Sequence, residues 1–338
     1  MSFNFLLQES VESFYFTAFR AFPNENLNEN SNSSHFTLKS NFNPTKIKSP
    51  TKTYERRFII TRTLEVIGAI TSAAPREEMN ELYQKINNYV YEIRMIELDE
   101  YLHGMNRKKI DMEKAYELII DAPDSECNAV LNFWKGHFAD PGLEYFKSSR
   151  VEENESKAKA FYRKAVELDI EGMAEGGDQY AQACLGVMYQ HGWGVDKNEA
   201  TAVEWYRKAA EQGYATAQRN LGEMYQYGSG VDKNESTAVE WYRKAAKQGY
   251  ATAQRNLGYM YQYGLGVDRN YSSAVEWYRN AAEQGYATAQ INLGLMYQHG
   301  RGVDKNESTA AEWYRKAGDQ GHAAAQHMLD HLTKQSSI

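Results

Sequence analysis

Residues 214–249 read Y-A-T-A-Q-R-N-L-G-E-M-Y-Q-Y-G-S-G-V-D-K-N-E-S-T-A-V-E-W-Y-R-K-A-A-K-Q-G, and the same unit recurs at 178–213, 250–285 and 286–321. The copies at 214–249 and 250–285 agree at 29 of 36 positions, so chance periodicity is untenable and the repeat decides the architecture. Ala217, Leu221, Met224 and Tyr225 fall at i, i+4, i+7 and i+8 and predict the buried stripe of a first helix. Ala238, Trp241, Tyr242 and Ala245 fall at i, i+3, i+4 and i+7 and predict that of a second. Gly222 leaves room for close helix contact, Gly228 and Gly230 break the chain between the helices, and Gly249 suits the left-handed residue that closes a helix. Thr237 and Glu240, like Thr201 and Glu204, have capping-box spacing near the second helix start, with Asn234 as the alternative cap. One such pair cannot bury its apolar face alone, whereas stacked pairs can. The expected fold is therefore all-α, a right-handed α-solenoid of helix-turn-helix repeats.

Each copy reads A-x-A-Q-x-x-L-G-x-M-Y-Q-x-G-x-G-V-D-x-N followed by A-x-E-W-Y-R-x-A-x-x-Q-G, with small departures in the first. This pattern resembles the Sel-1-like repeat (SLR) family, a tetratricopeptide-like α-solenoid family. Phe161-Tyr162-Arg163-Lys164-Ala165 looks like the second helix of a degenerate earlier copy with a longer exit. Ala115–Ala122 followed by Ala129–Gly136 reads as a further one. Ala323–Lys334 resembles a lone first helix in which Leu329 keeps the core position while Asp330 replaces the glycine, as a polar end cap requires. The resemblance implies a non-catalytic scaffold or adaptor for protein interactions, with no cofactor. The paired cysteines of the secreted, disulfide-bearing SLR branch are missing, which puts any hydrolase-like activity of that branch out of reach.

Outward from the repeats, five segments are expected. Residues 1–22 are an aromatic N-terminal segment with Phe3, Phe5, Phe14, Phe16, Phe19 and Phe22. Residues 23–53, rich in Asn and Ser, have too little apolar surface to offset their ordering entropy and are expected to be a disordered linker. Residues 54–177 are a helical region with degenerate repeats, 178–321 hold the four full copies, and 322–338 form a capping helix and tail. In the helical region Met79, Leu82, Ile86, Tyr89, Ile93 and Ile96 are spaced 3, 4, 3, 4, 3, which fits either an antiparallel hairpin turning at Ala73–Pro75 or a dimer contact. Shorter helices are expected over Asp111–Ala122, Asp124–His137 and Ser156–Leu168.

Composition narrows the function. With 38 basic against 45 acidic side chains, the 338 residues carry a net charge of −7, which argues against a general nucleic-acid binder. Two cysteines, Cys127 and Cys184, are too few for a disulfide framework. No apolar run is long enough for a spanning helix, and the N-terminus lacks the basic region of a signal peptide, so a cytoplasmic protein is expected and membrane association is not. His327 and His331 are i, i+4 but lack a third ligand, and Gly192-Trp193-Gly194 follows a helix rather than a strand, so neither reads as a metal or nucleotide site.

Comparing the copies separates positions that the solenoid fixes from those it leaves free. Identity fails at Ala183/Arg219/Arg255/Ile291, at Val187/Glu223/Tyr259/Leu295 and at His191/Tyr227/Tyr263/His299. These lie at i, i+4 and i+8, about 200° around the helix from the core positions two residues earlier, so they are expected to form a ladder on the concave surface. A fourth free site in the turn holds Trp193, Ser229, Leu265 and Arg301. Arg219, Glu223, Tyr227, Arg255, Tyr259, Tyr263, Leu295, His299 and Trp193 are thus the candidate contacts to a protein or peptide partner, Tyr and Arg being common interface anchors. The competing reading is packing between neighbouring repeats. Two other function classes stay open: an enzyme or regulatory subunit with its chemistry in 54–177, and a helical-repeat RNA reader, against which the acidic balance argues. The sequence leaves the oligomeric state open.

Overall fold

A computed structural model describes residues 91–92, 94–103, 112–120, 128–139 and 155–335. The chain divides into two compact units, residues 1–92 and 93–338. The aromatic N-terminal segment, the linker, the Ala73–Pro75 turn and most of the Met79–Ile96 seam lie outside the described residues. In the second unit the helices are α1 (Met112–Ile120), α2 (Ala129–Ala139), α3 (Glu155–Glu167), α4 (Ile170–Glu175), α5 (Gln179–His191), α6 (Glu199–Glu211), α7 (Ala215–Tyr227), α8 (Glu235–Lys247), α9 (Ala251–Tyr263), α10 (Tyr271–Glu283), α11 (Ala287–His299), α12 (Glu307–Gly318) and α13 (Ala323–Gln335). Residues 94–103 are also helical, and no strand occurs among the described residues. From α5 onward each helix packs on its neighbours in the chain, first helix on second and second on the next first, which is the α-solenoid expected from the period.

Each pair is joined by one close contact. A Cβ added at Gly222 of α7 would stand 2.8 Å from the Tyr242 ring of α8, and at Gly186 of α5 it would stand 2.6 Å from Tyr206. The same glycine–tyrosine approach recurs at Gly258/Tyr278 and Gly294/Tyr314. These tyrosines are the largest fully buried side chains, and each hydroxyl finds a partner: Tyr242 donates to Gln226 Oε1 at 2.7 Å, Tyr206 to Gln190 and Tyr278 to Gln262. The hydrogen bond removes the cost of an orphaned buried hydroxyl. The contact also identifies an earlier pair, because a Cβ at Gly136 of α2 would stand 2.7 Å from Tyr162 of α3. Ala129–Gly136 is therefore the first helix of the copy whose second helix holds Tyr162. It is not the second helix of a copy beginning at Ala115, as the sequence spacing had it. The longer exit after Tyr162 is occupied by α4.

Of the four tryptophans beside these tyrosines, only one takes the place in the core expected of it. Trp205 is buried, but Trp241, Trp277 and Trp313 are half-buried. Lysines lie over three of the rings, Lys208 over Trp205 and Lys244 over Trp241 at 3.6 Å and Lys316 over Trp313 at 4.0 Å. A cation on an indole face gains electrostatic attraction while the lysine stem covers apolar surface.

The second helices start at Asn198, Asn234, Asn270 and Asn306, whose side chains accept from the backbone N–H of Thr201, Thr237, Ser273 and Thr309. The asparagine is thus the cap, and the threonine sits at the third helical position. Between repeats two polar ladders run with the 36-residue period. Gln248 Nε2 donates to Gln218 Oε1 at 2.9 Å, and Gln218 Nε2 donates to the Ala210 carbonyl at 3.1 Å. The same relay joins Gln284 to Gln254 and Gln254 to Ala246. Arg207 and Arg243 donate to the Tyr225 and Tyr261 hydroxyls at 3.2 Å, and Arg279 to Tyr297 at 3.0 Å. The array ends at α13, where Ala325 and Leu332 are buried and Asp330 accepts from Gln326.

Because Tyr242 fills the seam while Trp241 is half-exposed, Tyr242→Ala should cost about 3–5 kcal/mol and Trp241→Ala clearly less. Gly222→Val should cost about 3 kcal/mol, since the buried ring beneath it has nowhere to move. Chemical denaturation followed by helix signal tests this, and a Trp241→Ala loss as large as that of Tyr242→Ala would refute it.

Candidate functional site

The first helices α5, α7, α9 and α11 carry the variable ladder, and its three rungs differ in exposure. At the first rung Ala183 and Ile291 are buried, while Arg219 and Arg255 are half-buried. Ile291 packs in a cluster with Tyr314 of α12 and Leu332 of α13, so in this copy the position serves inter-repeat packing. At the second rung Glu223, Tyr259 and Leu295 are half-buried, and Tyr259 and Leu295 pack on the edges of core clusters. At the third rung His191, Tyr227, Tyr263 and His299 are exposed. Tyr227, at 67%, and Tyr263, at 55%, are the most exposed large hydrophobic side chains among the described residues.

The rungs also differ chemically. In α7, Arg219 Nη1 pairs with Glu223 at 2.9 Å and donates to Asn220 Oδ1 at 2.7 Å. In α9 the carboxylate is replaced by Tyr259, whose ring lies 4.5 Å from that of Tyr263. Arg255 Nη1 keeps the bond to Asn256 Oδ1, at 2.8 Å. In α11 the ladder is Ile291, Leu295 and His299, without a cation at the first rung. Trp193 belongs to a different assembly. It stacks on Tyr162 at 4.9 Å and on His191 at 4.5 Å, with His137 edge-on at 5.1 Å, joining the turn after α5 to the preceding pair.

A second feature of this surface had no sequence signal. The helical residues 94–103 lie against the residues that precede α7 and α9. Tyr214 donates to Asp99 Oδ1 at 3.0 Å, and the His103 ring sits 4.4 Å from that of Tyr250. Met95, Leu98 and Leu102 on this segment are buried. Burial pushes the Asp99 carboxyl up to about 7, against the opposing pull of the Tyr214 hydroxyl. Burial, with the charge of Arg219, holds His103 down at about 3. Cys184, which stands where the later copies have Asn220, Asn256 and Asn292, is buried and its thiol is raised by burial. It is therefore an inert packing group rather than a nucleophile. Among the described residues no group of three His, Cys, Asp or Glu is placed to hold a metal ion.

The two titrations in the 94–103 segment have opposite signs. Asp99, raised on docking, contributes stability below about pH 4 that is lost as the pH rises through about 7. His103, lowered on docking, contributes stability above about 6.5 that is lost as the pH falls towards 3. Between pH 4 and 6.5 the two slopes oppose each other in the native chain, where His103 Nε2 lies 3.9 Å from Asp99 Oδ1. In Asp99→Asn the histidine slope stands alone, so protection of residues 94–103 in hydrogen exchange, corrected for intrinsic rates, should fall as the pH is lowered from 6.5 to 4. A flat profile in the variant would show that His103 is not buried neutral.

The Sel1 repeat model matches residues 142–170, 179–214, 215–250, 251–286 and 287–322, the first of these covering α3. A Sel1 repeat protein from Oxalobacter formigenes is 41% identical over 52% of this chain and 71% of its own, with a TM-score of 0.47. A protective antigen present in uropathogenic Escherichia coli strains and displaying an SLR fold is 29% identical over 79% of this chain, with a TM-score of 0.50. This chain spans 53% of the antigen's length. No curated protein matches. The family model covers just over half of the chain, with its boundaries one residue from those of the 36-residue copies, and the protein belongs to the Sel1 repeat family.

Proposed function

We propose that the protein is a non-catalytic scaffold that binds a protein or peptide segment along the concave ladder of its first helices, with Tyr227 and Tyr263 as the principal anchors. Sel1 repeat proteins are in general protein-interaction scaffolds. The observation that carries the reading is the exposure of these two tyrosines on equivalent positions of adjacent repeats. A folded domain that leaves two large aromatic side chains in solvent, one repeat apart, presents a surface suited to a partner. Arg219, Glu223, Arg255, Tyr259, Leu295 and His299 line the same ladder and supply its polar and apolar rim. Trp193, stacked on Tyr162, would contribute through the shape of the turn. No described helix is long and apolar enough to cross a membrane. The buried thiol of Cys184 and the caps, stacks and ladders that occupy the polar side chains support a binding role over a catalytic one.

Tyr227 and Tyr263 separate binding from folding better than Tyr259, which packs on the core edge. Replacing both with Ala should change stability by less than about 0.5 kcal/mol each, as at exposed sites. Affinity for a captured partner should fall by about 2 kcal/mol or more. Affinity capture with native and doubly substituted chains, with thermal melts of both, makes the comparison. A variant that melts like the native chain and retains every captured protein at native affinity would defeat the reading.

A further inference from the structure

Arg255 differs from its counterpart one repeat earlier in a way that specifies a ligand. Both guanidiniums are half-buried, both donate Nη1 to the asparagine that follows them, and both have an Nε sheltered from solvent without a hydrogen-bond partner. Arg219 is neutralised within its own helix by Glu223 at 2.9 Å. At Arg255 the i+4 residue is Tyr259, and the arginine forms no ion pair among the described residues. A guanidinium shielded from water and lacking a counter-charge gains most from a carboxylate brought by another molecule, because the charge-assisted bond forms where solvent competes least. Its surroundings define the rest of the ligand. Tyr259 and Tyr263 form a paired aromatic surface on one side, with Tyr263 exposed, and the next rung offers the half-buried Leu295 in place of a charge.

The geometry points to the Arg255–Tyr259–Tyr263 rung as a recognition site for a partner segment that carries an aspartate or glutamate side chain beside an apolar residue. The carboxylate pairs with Arg255, and the apolar neighbour lies on the tyrosine pair or Leu295. This rests on the scaffold reading above and deepens it by naming the chemistry of the partner at one rung. Charge complementarity selects the occupant, since repeat two supplies its own carboxylate at the matching place and repeat three does not.

The full chain would be used to select from a random twelve-residue peptide library displayed on phage, in parallel with two variants. Arg255→Gln removes the charge. Tyr259→Glu recreates within α9 the arginine–glutamate pair that α7 already tolerates, so it keeps the fold while filling the site from inside. Selection on the native chain should yield peptides with one fixed acidic position next to a leucine or aromatic residue. Each variant should lose that acidic preference, and a selected peptide should bind it about tenfold or more weakly at moderate salt. Selected peptides without a fixed acidic position would overturn this inference and leave the scaffold reading intact, as would an acidic preference that both variants retain. Failure to enrich any peptide would overturn both.

Discussion

The approach of a tyrosine ring to a glycine between paired helices is the contact on which the rest of the molecule depends. With any side chain at Gly222, the ring of Tyr242 could not lie flat against α7, and the helix pair would open. Because the ring is buried there, its hydroxyl must find an acceptor on the same first helix, and Gln226 is that acceptor. The seam therefore fixes three residues at once and orients the faces left over. One face of the first helix turns to the tyrosine, another to the neighbouring repeat, and the remainder becomes the ladder on which the copies diverge. The same contact at Gly136 and Tyr162 extends the architecture to a pair whose sequence has otherwise drifted from the repeat.

Much of this was legible in the sequence because a period of 36 residues offers several readings of each position. The helix pairs, the breaking glycines, the packing role of Gly222 and the terminal helix were all accessible from spacing. Where two adjacent aromatics shared the same periodic stripe, spacing could not rank them. Trp241 and Tyr242 differ by only about 100° around the helix, and the ring that meets a glycine rather than a lysine is settled by three-dimensional packing. The fixed glutamines were visible as a pattern without a role, since Gln248 and Gln218 meet across 30 residues. The contact of Asp99 with Tyr214 spans 115 residues and has no periodic counterpart, so no reading of one copy against another could have found it.

The ladder combines the two readings that the sequence had left side by side. Its first rung serves packing where it is Ile291 and carries polar chemistry where it is arginine, while its third rung is solvent-facing in all four copies. A position free to vary in sequence is therefore not free in the same sense along the helix. Near the helix start, variation trades one packing solution for another, and near its end it changes only what solvent or a partner meets. The placement of residues 94–103 against Tyr214 and Tyr250 adds a constraint of its own, because it assigns the neighbourhood of Arg219, whose charge acts on His103, to the chain itself.

The glutamine relay has a consequence for how such an array changes in length. Its donor and acceptor are the same at successive junctions, from Gln218 to Ala210 and from Gln254 to Ala246, and Gln290 donates to Ala282 in the same manner. The relay at every internal junction is therefore the same whichever internal units meet there. Duplication or loss of one whole 36-residue block exchanges like surfaces for like, whereas a shift of even a few residues would misalign the relay, the arginine–tyrosine bonds and the glycine seam together. Gene-level changes in whole units thus leave the relay, the arginine–tyrosine bonds and the glycine seam in register, and their effect falls on the number and order of ladder rungs.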